Sequence, residues 1–485
     1  MLRQTEQMKL SPYRDLYDIV VPQDNLLRKI KEEIDFSFVN PMLKEQYCEK
    51  YGRPATEPEM MFKLMFLKKL YDLSDERLIN SAQTDMAYKY FLDLDPEAGM
   101  IDPSLMTKFR KTRITEDILE EMLKETIRQA LEKGVIRSNT IIVDSTHTNA
   151  AVRPKTVTQV LRDLSKQLRK EIYKSMYDLS EKFPDKPNET AELQEEMAYT
   201  RRLLENTESA ILESGNTEII HLYNRIKELL ETDRIREIRS KDDEDAKFGH
   251  KTPTSTFFGY KNHIAMTKER IITGIEVTSG EAPDGKQLKT LVEKSKKNGI
   301  DVEEVVGDMA YVSKDNLDYC SEKITLIAKS NPVMSALTES KNDGFEYNKD
   351  ANTMQCPAGE LATRVNKKQL ESGNTFYRYT FSKKKCKHCP LKDSCPAVRK
   401  SENYYGVTVL NEENRARLEF ELSEEFGEKL GVRYRIEEKN GEMKQSHGLG
   451  KADSTGLMAM KLQTFFTAFA VNLKRIVKLT ERYAA

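Results

Sequence analysis

Apolar positions change their period several times along the chain, and each change predicts a new kind of element. Up to about residue 135 they recur at helical spacing: Met60, Met61, Leu64, Met65 and Leu67 form one run, with Thr56 as the expected N-cap and Glu59 three positions on. Leu73-Ser74-Asp75-Glu76-Arg77-Leu78 opens a second helix in the same way. Asp102-Pro103-Ser104 opens a third, whose Lys108, Arg110, Lys111 and Arg113 crowd together. These cations belong either to a DNA-binding helical bundle or to the solvated face of a structural one. At Thr140 the period shortens, and Ile141-Ile142-Val143 predicts a short strand ending in Asp144.

Between about 157 and 235 the helical period returns in densely charged surroundings, through Leu161, Leu164, Leu168, Ile172, Leu222, Ile226 and Leu229. This predicts a long helical insertion, broken by the two prolines of Pro184 to Asn188 into at least two helices, as in a coiled-coil-like hairpin. Strands resume at Phe257 to Ile264 and Ile271 to Val277, with Lys268-Glu269-Arg270 as the turn between them. Asp284 is the expected cap of a helix through Leu288, Leu291 and Val292 that stops near Gly299. Val302 to Val306 then predicts a strand leading to Asp308, and Ile324 to Ala328 a further one. The last helix carries Met458, Leu462, Phe465, Phe466, Phe469, Leu473 and Ile476 on one broad stripe, expected to be core.

The pattern divides the chain into a helical N-terminal domain (1–135), a first part of an α/β core (136–345, interrupted by helices at about 155–247), a cysteine-rich insertion (346–405) and a C-terminal part (406–485). A mixed sheet with helices on its faces is the fold class expected. A chain of 485 residues can bury a core of this size. Its 78 basic and 79 acidic side chains nearly cancel, so net charge does not point to a nucleic-acid partner, and any basic face must be balanced elsewhere. Met1 to Gln7 lacks the apolar run of a secretory signal, and Phe465 to Val471 is far shorter than the roughly 20 residues that span a bilayer. A cytoplasmic, nucleoid-associated protein that does not enter the membrane is the expectation.

An aspartate ending an apolar strand needs a partner or a metal to offset its desolvation. Asp144 and Asp308 both read this way, and on neighbouring strands they would offer the oxygen ligands that Mg²⁺ requires. A third acid stands in Arg433-Tyr434-Arg435-Ile436-Glu437-Glu438-Lys439-Asn440-Gly441-Glu442-Met443-Lys444, where the helical period puts Arg433, Glu437, Gly441 and Lys444 on one face.

Ile141 to Thr146, the Phe258-Gly259-Tyr260-Lys261-x-His263 strand, Val306 to Tyr311, and Arg433-x3-Glu437-x6-Lys444 together resemble the insertion-sequence transposases of the DDE class, in order and in spacing. The likeness extends to Gly52-Arg53-Pro54 and to the cysteine segment. It implies a ribonuclease-H-like core in which Asp144, Asp308 and Glu437 ligate two Mg²⁺ or Mn²⁺ ions for cutting and joining DNA. Arg433, Lys444, Lys261, Arg110 and Lys111 would then contact double-stranded DNA, at terminal inverted repeats and in the target, with a homodimer on the DNA. The six-residue gap before Lys444 singles out Glu437 over Glu438 and Glu442. Many relatives have a tyrosine three residues before the arginine; here Leu430 stands there, and Tyr434 would face elsewhere. A catalytically silent DNA-binding scaffold and a metal-dependent nuclease that cuts without joining are the alternatives.

Four of six cysteines fall between 356 and 395. Cys386-x2-Cys389, Cys395 and Cys356 supply four thiolates for a structural Zn²⁺, with His388 as a substitute ligand; otherwise they are four free thiols in a loop. Lys383, Lys384, Lys385 and Lys387 beside them either meet phosphates or form a solvated face.

Overall fold

Periodicity becomes structure most directly in the helices. The computed structural model describes residues 11–48, 55–252, 254–320, 323–330, 344–348, 353–370, 373–398, 402–409 and 411–484. Met1 to Gln7 and Gly52-Arg53-Pro54 lie outside them. The chain divides into two units, Met1–Glu303 with Tyr434–Ala485, and Glu304–Arg433.

In the first unit, the helix expected at Thr56 begins instead at Pro58 and runs to Leu70, with Glu57 as N-cap. Proline suits the first helical position because its missing N–H would have no partner there. The Glu59 amide, which has no partner within the helix, donates to the Asn40 side chain at 3.1 Å. The helices Asp75–Thr84 and Ser104–Arg113 form as expected, the first capped by Ser74 accepting from the Arg77 amide. Phe62 packs its ring 5.3 Å from both Phe466 and Phe469 of the last helix, Leu457–Ala484. Along that helix the predicted stripe is buried from Leu462 to Ile476, whereas Met458 is 38% exposed. Its buried Asn472 exchanges two hydrogen bonds, 2.8 and 2.9 Å, with the Ile272 backbone.

The sheet of this unit is built on a long central strand, β3 (Ser255–Thr267). β1 (Thr140–Asn149) runs antiparallel along one side of it, from Ile141 opposite Thr267 to Asn149 opposite Gly259. Asp144 therefore sits mid-strand, not at the strand end expected. The polar run Ser145-Thr146-His147-Thr148 keeps the ladder because β-branched threonines suit a strand and Thr148 is tied to the Asn262 amide at 2.8 Å. Gly259 is required where the strands meet: a Cβ there would stand 2.0 Å from the Thr148 carbonyl oxygen. The other side of β3 pairs with β4 (Ile272–Ser279) and, further along, with β2 (Lys247–Thr252), which the pattern did not predict. The hairpin turn falls at Lys268 to Arg270 as expected, with Arg270 in the left-handed region at φ 72°. Asp284 makes no side-chain cap; a short 3₁₀ turn, Gly285–Gln287, leads into the helix Leu288–Lys297.

The charged insertion is a bundle of three helices, Val157–Ser175, Leu193–Glu213 and Thr217–Glu231, with Pro184 to Asn188 between the first two. Leu164, Leu168, Leu203, Ile211 and Ile226 share a core of their own, which closes the bundle where a two-helix hairpin would leave an apolar face open.

In the second unit, β5 (Glu304–Val306) and β6 (Thr325–Ile327) pair in parallel. The cysteine segment holds a hairpin of β7 (Glu346–Asn348) and β8 (Thr353–Gln355), and a three-stranded sheet of β9 (Arg364–Gln369), β10 (Thr375–Thr380) and β11 (Tyr404–Val409). Phe345 stacks on Tyr405 at 4.1 Å and packs with Tyr379, Phe381 and Ala397 in a small core.

Candidate active site

Asp144 is half-buried on β1, and the helix Tyr434–Ser446 packs across that strand. The Asn440 side-chain amide donates to Oδ2 of Asp144 at 2.9 Å. Asn440 is itself buried, and its Oδ1 has no hydrogen-bond partner. One turn further along the same helix face, Lys444 Nζ donates to Nδ1 of His147 at 3.4 Å. Glu437 lies one turn before Asn440, exposed, so helical geometry places it on the face that meets β1. The neighbouring acids form ion pairs. Glu438 pairs with Arg270 at 2.8 Å, and Glu442 with Lys439 at 2.8 Å and Lys474 at 3.0 Å.

Burial is the main reason that Lys444 is pushed down to about 8; the charge of Lys251 on β2 adds to it, and Asp144 opposes it. His147 is held down to about 4 by burial first, then by Lys444 and Lys251, so it is neutral at physiological pH. Its ring packs against Phe257 at 5.0 Å.

Asp308 and Arg433 belong to the second unit. Asp308 caps the 3₁₀ turn Met309–Tyr311, accepting from the Ala310 amide at 2.9 Å. Arg433 is half-buried at the end of a short 3₁₀ turn, Gly431–Arg433. Of the other expected DNA contacts, Lys261 is bonded to Asp284 at 2.8 Å and to the Ala282 carbonyl at 2.9 Å. Arg110 forms a two-pronged pair with Asp75 at 3.0 and 2.6 Å, while Lys111 is exposed. Tyr434 is 53% exposed.

The four cysteines Cys356, Cys386, Cys389 and Cys395 line one cavity of about 230 Å³, together with His388. Burial pushes the Cys386 thiol up, a hydrogen bond with Asn403 opposes this, and the other three thiols add to it. Among the described residues no three His, Cys, Asp or Glu side chains are grouped closely enough to hold a metal ion, at this cavity or at Asp144.

Asn440, His147 and Lys251 are absent from the sequence-derived site. Asn440 had a usable signal, since it stands three residues after Glu437 on the same face. His147 and Lys251 had none, because the polar half of β1 and the whole of β2 were not foreseen as strands.

Two transposase families match the chain. The family described as Transposase domain (DUF772) covers residues 15–112, the N-terminal helices. The Transposase DDE domain covers residues 355–477, from the first clustered cysteine through Glu437 and into the last helix. These two matches support an insertion-sequence DDE transposase. Its mixed α/β architecture with a helical N-terminal region is consistent with the fold of that family. The chain is also similar to an uncharacterized protein, ORF8 in the nfe locus of Rhizobium meliloti, at 28% identity over 30% of this chain and 69% of the relative. No solved structure matches it. Among the described residues no helix is long and apolar enough to cross a membrane.

Proposed function

We propose that this transposase cuts DNA at the ends of its element and joins them to target DNA, with Asp144, Asp308 and Glu437 as the metal-binding acids. The observation that carries this reading is the Asn440–Asp144 hydrogen bond, which seats the helix bearing Glu437 against the strand bearing Asp144. Further support comes from the family match, which includes Glu437. The order of the three acids along the chain links Asp308 to the other two.

Carboxylates are the donors that Mg²⁺ or Mn²⁺ prefers, so the residues fit such ions in kind. Two bound ions would activate the attacking water or 3′-hydroxyl and stabilise the leaving oxygen. Asn440 fixes one carboxylate oxygen of Asp144 and so orients the group. Lys444 and Arg433 hold phosphate oxygens beside the acids, where an ammonium and a forked guanidinium both suit them. DNA is the partner, with a homodimer bringing two ends together, and the protein works at the nucleoid. The 1–135 helices bind DNA through exposed cations such as Lys111, with Arg110 and Lys261 as further contacts.

The four cysteines hold a structural Zn²⁺. Thiolates are its preferred donors, and the shared cavity supports the assignment although the thiols are not drawn together as ligands.

The test is Mg²⁺-dependent reaction of the purified chain with duplexes carrying the repeats that flank its gene. Cleavage followed by joining is expected. Binding without cleavage would favour a silent scaffold, and cleavage without joining a nuclease.

A further inference from the structure

Lys251 occupies an irregular position in the sheet. Along β2 the pairing with β3 is regular up to His250 opposite Thr256, then shifts, so that Thr252 faces Ser255 and Lys251 is left over as a bulge. A bulge re-aims a side chain away from the ladder. Lys251 is exposed. Gly249, two residues before it, pairs with Phe257, whose ring lies 5.0 Å from that of His147, and the Lys251 charge acts on both Lys444 and His147.

His147 is held there by its neighbours. Phe257 packs against the ring, and Phe257 in turn lies over Gly249, where a Cβ would meet its ring carbons at 2.5 and 2.6 Å. Because the Lys444 ammonium donates to Nδ1, the imidazole proton sits on Nε2 and offers an N–H donor. Two ammonium groups and one N–H donor therefore serve one region, with Lys251 exposed and Lys444 and His147 half-buried.

We propose that Lys251, Lys444 and His147 bind one phosphate group of the DNA backbone, placing the strand next to Asp144. This rests on the reading of DNA as the substrate, and adds Lys251 and His147 to the contacts it names. Each phosphate neutralised by a lysine releases condensed counterions, so the contact has a signature that a structural lysine lacks.

The test is fluorescence anisotropy of the full-length chain with a short end-bearing duplex in Ca²⁺, over a series of salt concentrations. Lys251→Ala is expected to weaken binding several-fold and to lower the slope of log Kd against log salt by about 1, while Lys251→Arg keeps the slope. Wild-type binding with an unchanged slope in Lys251→Ala would overturn this site alone. No duplex binding by the wild-type chain would overturn both this site and the proposed function.

Discussion

The Asn440 amide holds the Asp144 carboxylate at 2.9 Å across the junction of the Tyr434–Ser446 helix and β1, while its own Oδ1 stays buried without a partner. Residues that orient a ligating carboxylate typically matter by about 10- to 100-fold in metal affinity or activity. Asn440→Ala should accordingly slow single-turnover cleavage by about that factor and raise the Mg²⁺ concentration needed for half-maximal rate. An unchanged Mg²⁺ requirement would mean that the amide serves packing alone.

Glu442 is the electrostatic anchor of the same helix. Burial alone would raise its pKa, but bonds to His447, Lys439 and Lys474 hold the carboxyl far below the usual carboxylate range. A depressed folded-state pKa contributes stability that is fully present above the unfolded value near 4.5 and is lost as pH falls below it. Glu442→Gln should therefore destabilise the protein at pH 7 by about 2 kcal/mol, because it leaves the buried Lys439 ammonium without its acid. The difference should shrink in urea melts taken at progressively lower pH below 4.5. A pH-independent difference would contradict the linkage.

Gly441 lies one residue beyond Asn440, and a Cβ there would meet nothing within 4 Å. Alanine should then be tolerated by the fold and stabilise the helix by about 0.5–1 kcal/mol, since it carries less unfolded-state entropy than glycine. If the open space is where duplex approaches, Gly441→Ala should at the same time weaken DNA binding, measured by anisotropy beside a thermal melt.

For the cysteine cavity, metal analysis of the purified chain should find a single zinc ion, lost on chelation and absent in Cys386→Ser/Cys389→Ser. Removal should loosen the β9–β11 sheet, seen as faster amide exchange there, because the thiols border its small core. Metal-free protein with full exchange protection would leave four ordinary thiols.

Much of the fold was legible because burial imposes period. The hairpin at Lys268 to Arg270 and the stripe on the last helix follow from apolar residues facing one core. What escaped was held by polar or irregular contacts. Lys247-Phe248-Gly249-His250-Lys251-Thr252 lacks an apolar alternation, so β2 exists only through its partner β3. Asp144 read as a strand end because the strand turns polar there, yet the ladder continues through Asn149. The candidate site was proposed from an order of acids and cations. Its local support was not, since no spacing rule announces that Asn440 reaches Asp144 across 296 positions.

The proposal that Asp144 is a catalytic metal ligand is tested most directly by Asp144→Asn, assayed for Mg²⁺-dependent cleavage of end-bearing duplex alongside DNA binding and thermal melting. The substitution keeps the shape and removes the charge, so cleavage should fall to background while binding and melting stay near wild type. Cleavage at the wild-type rate would remove Asp144 from the mechanism.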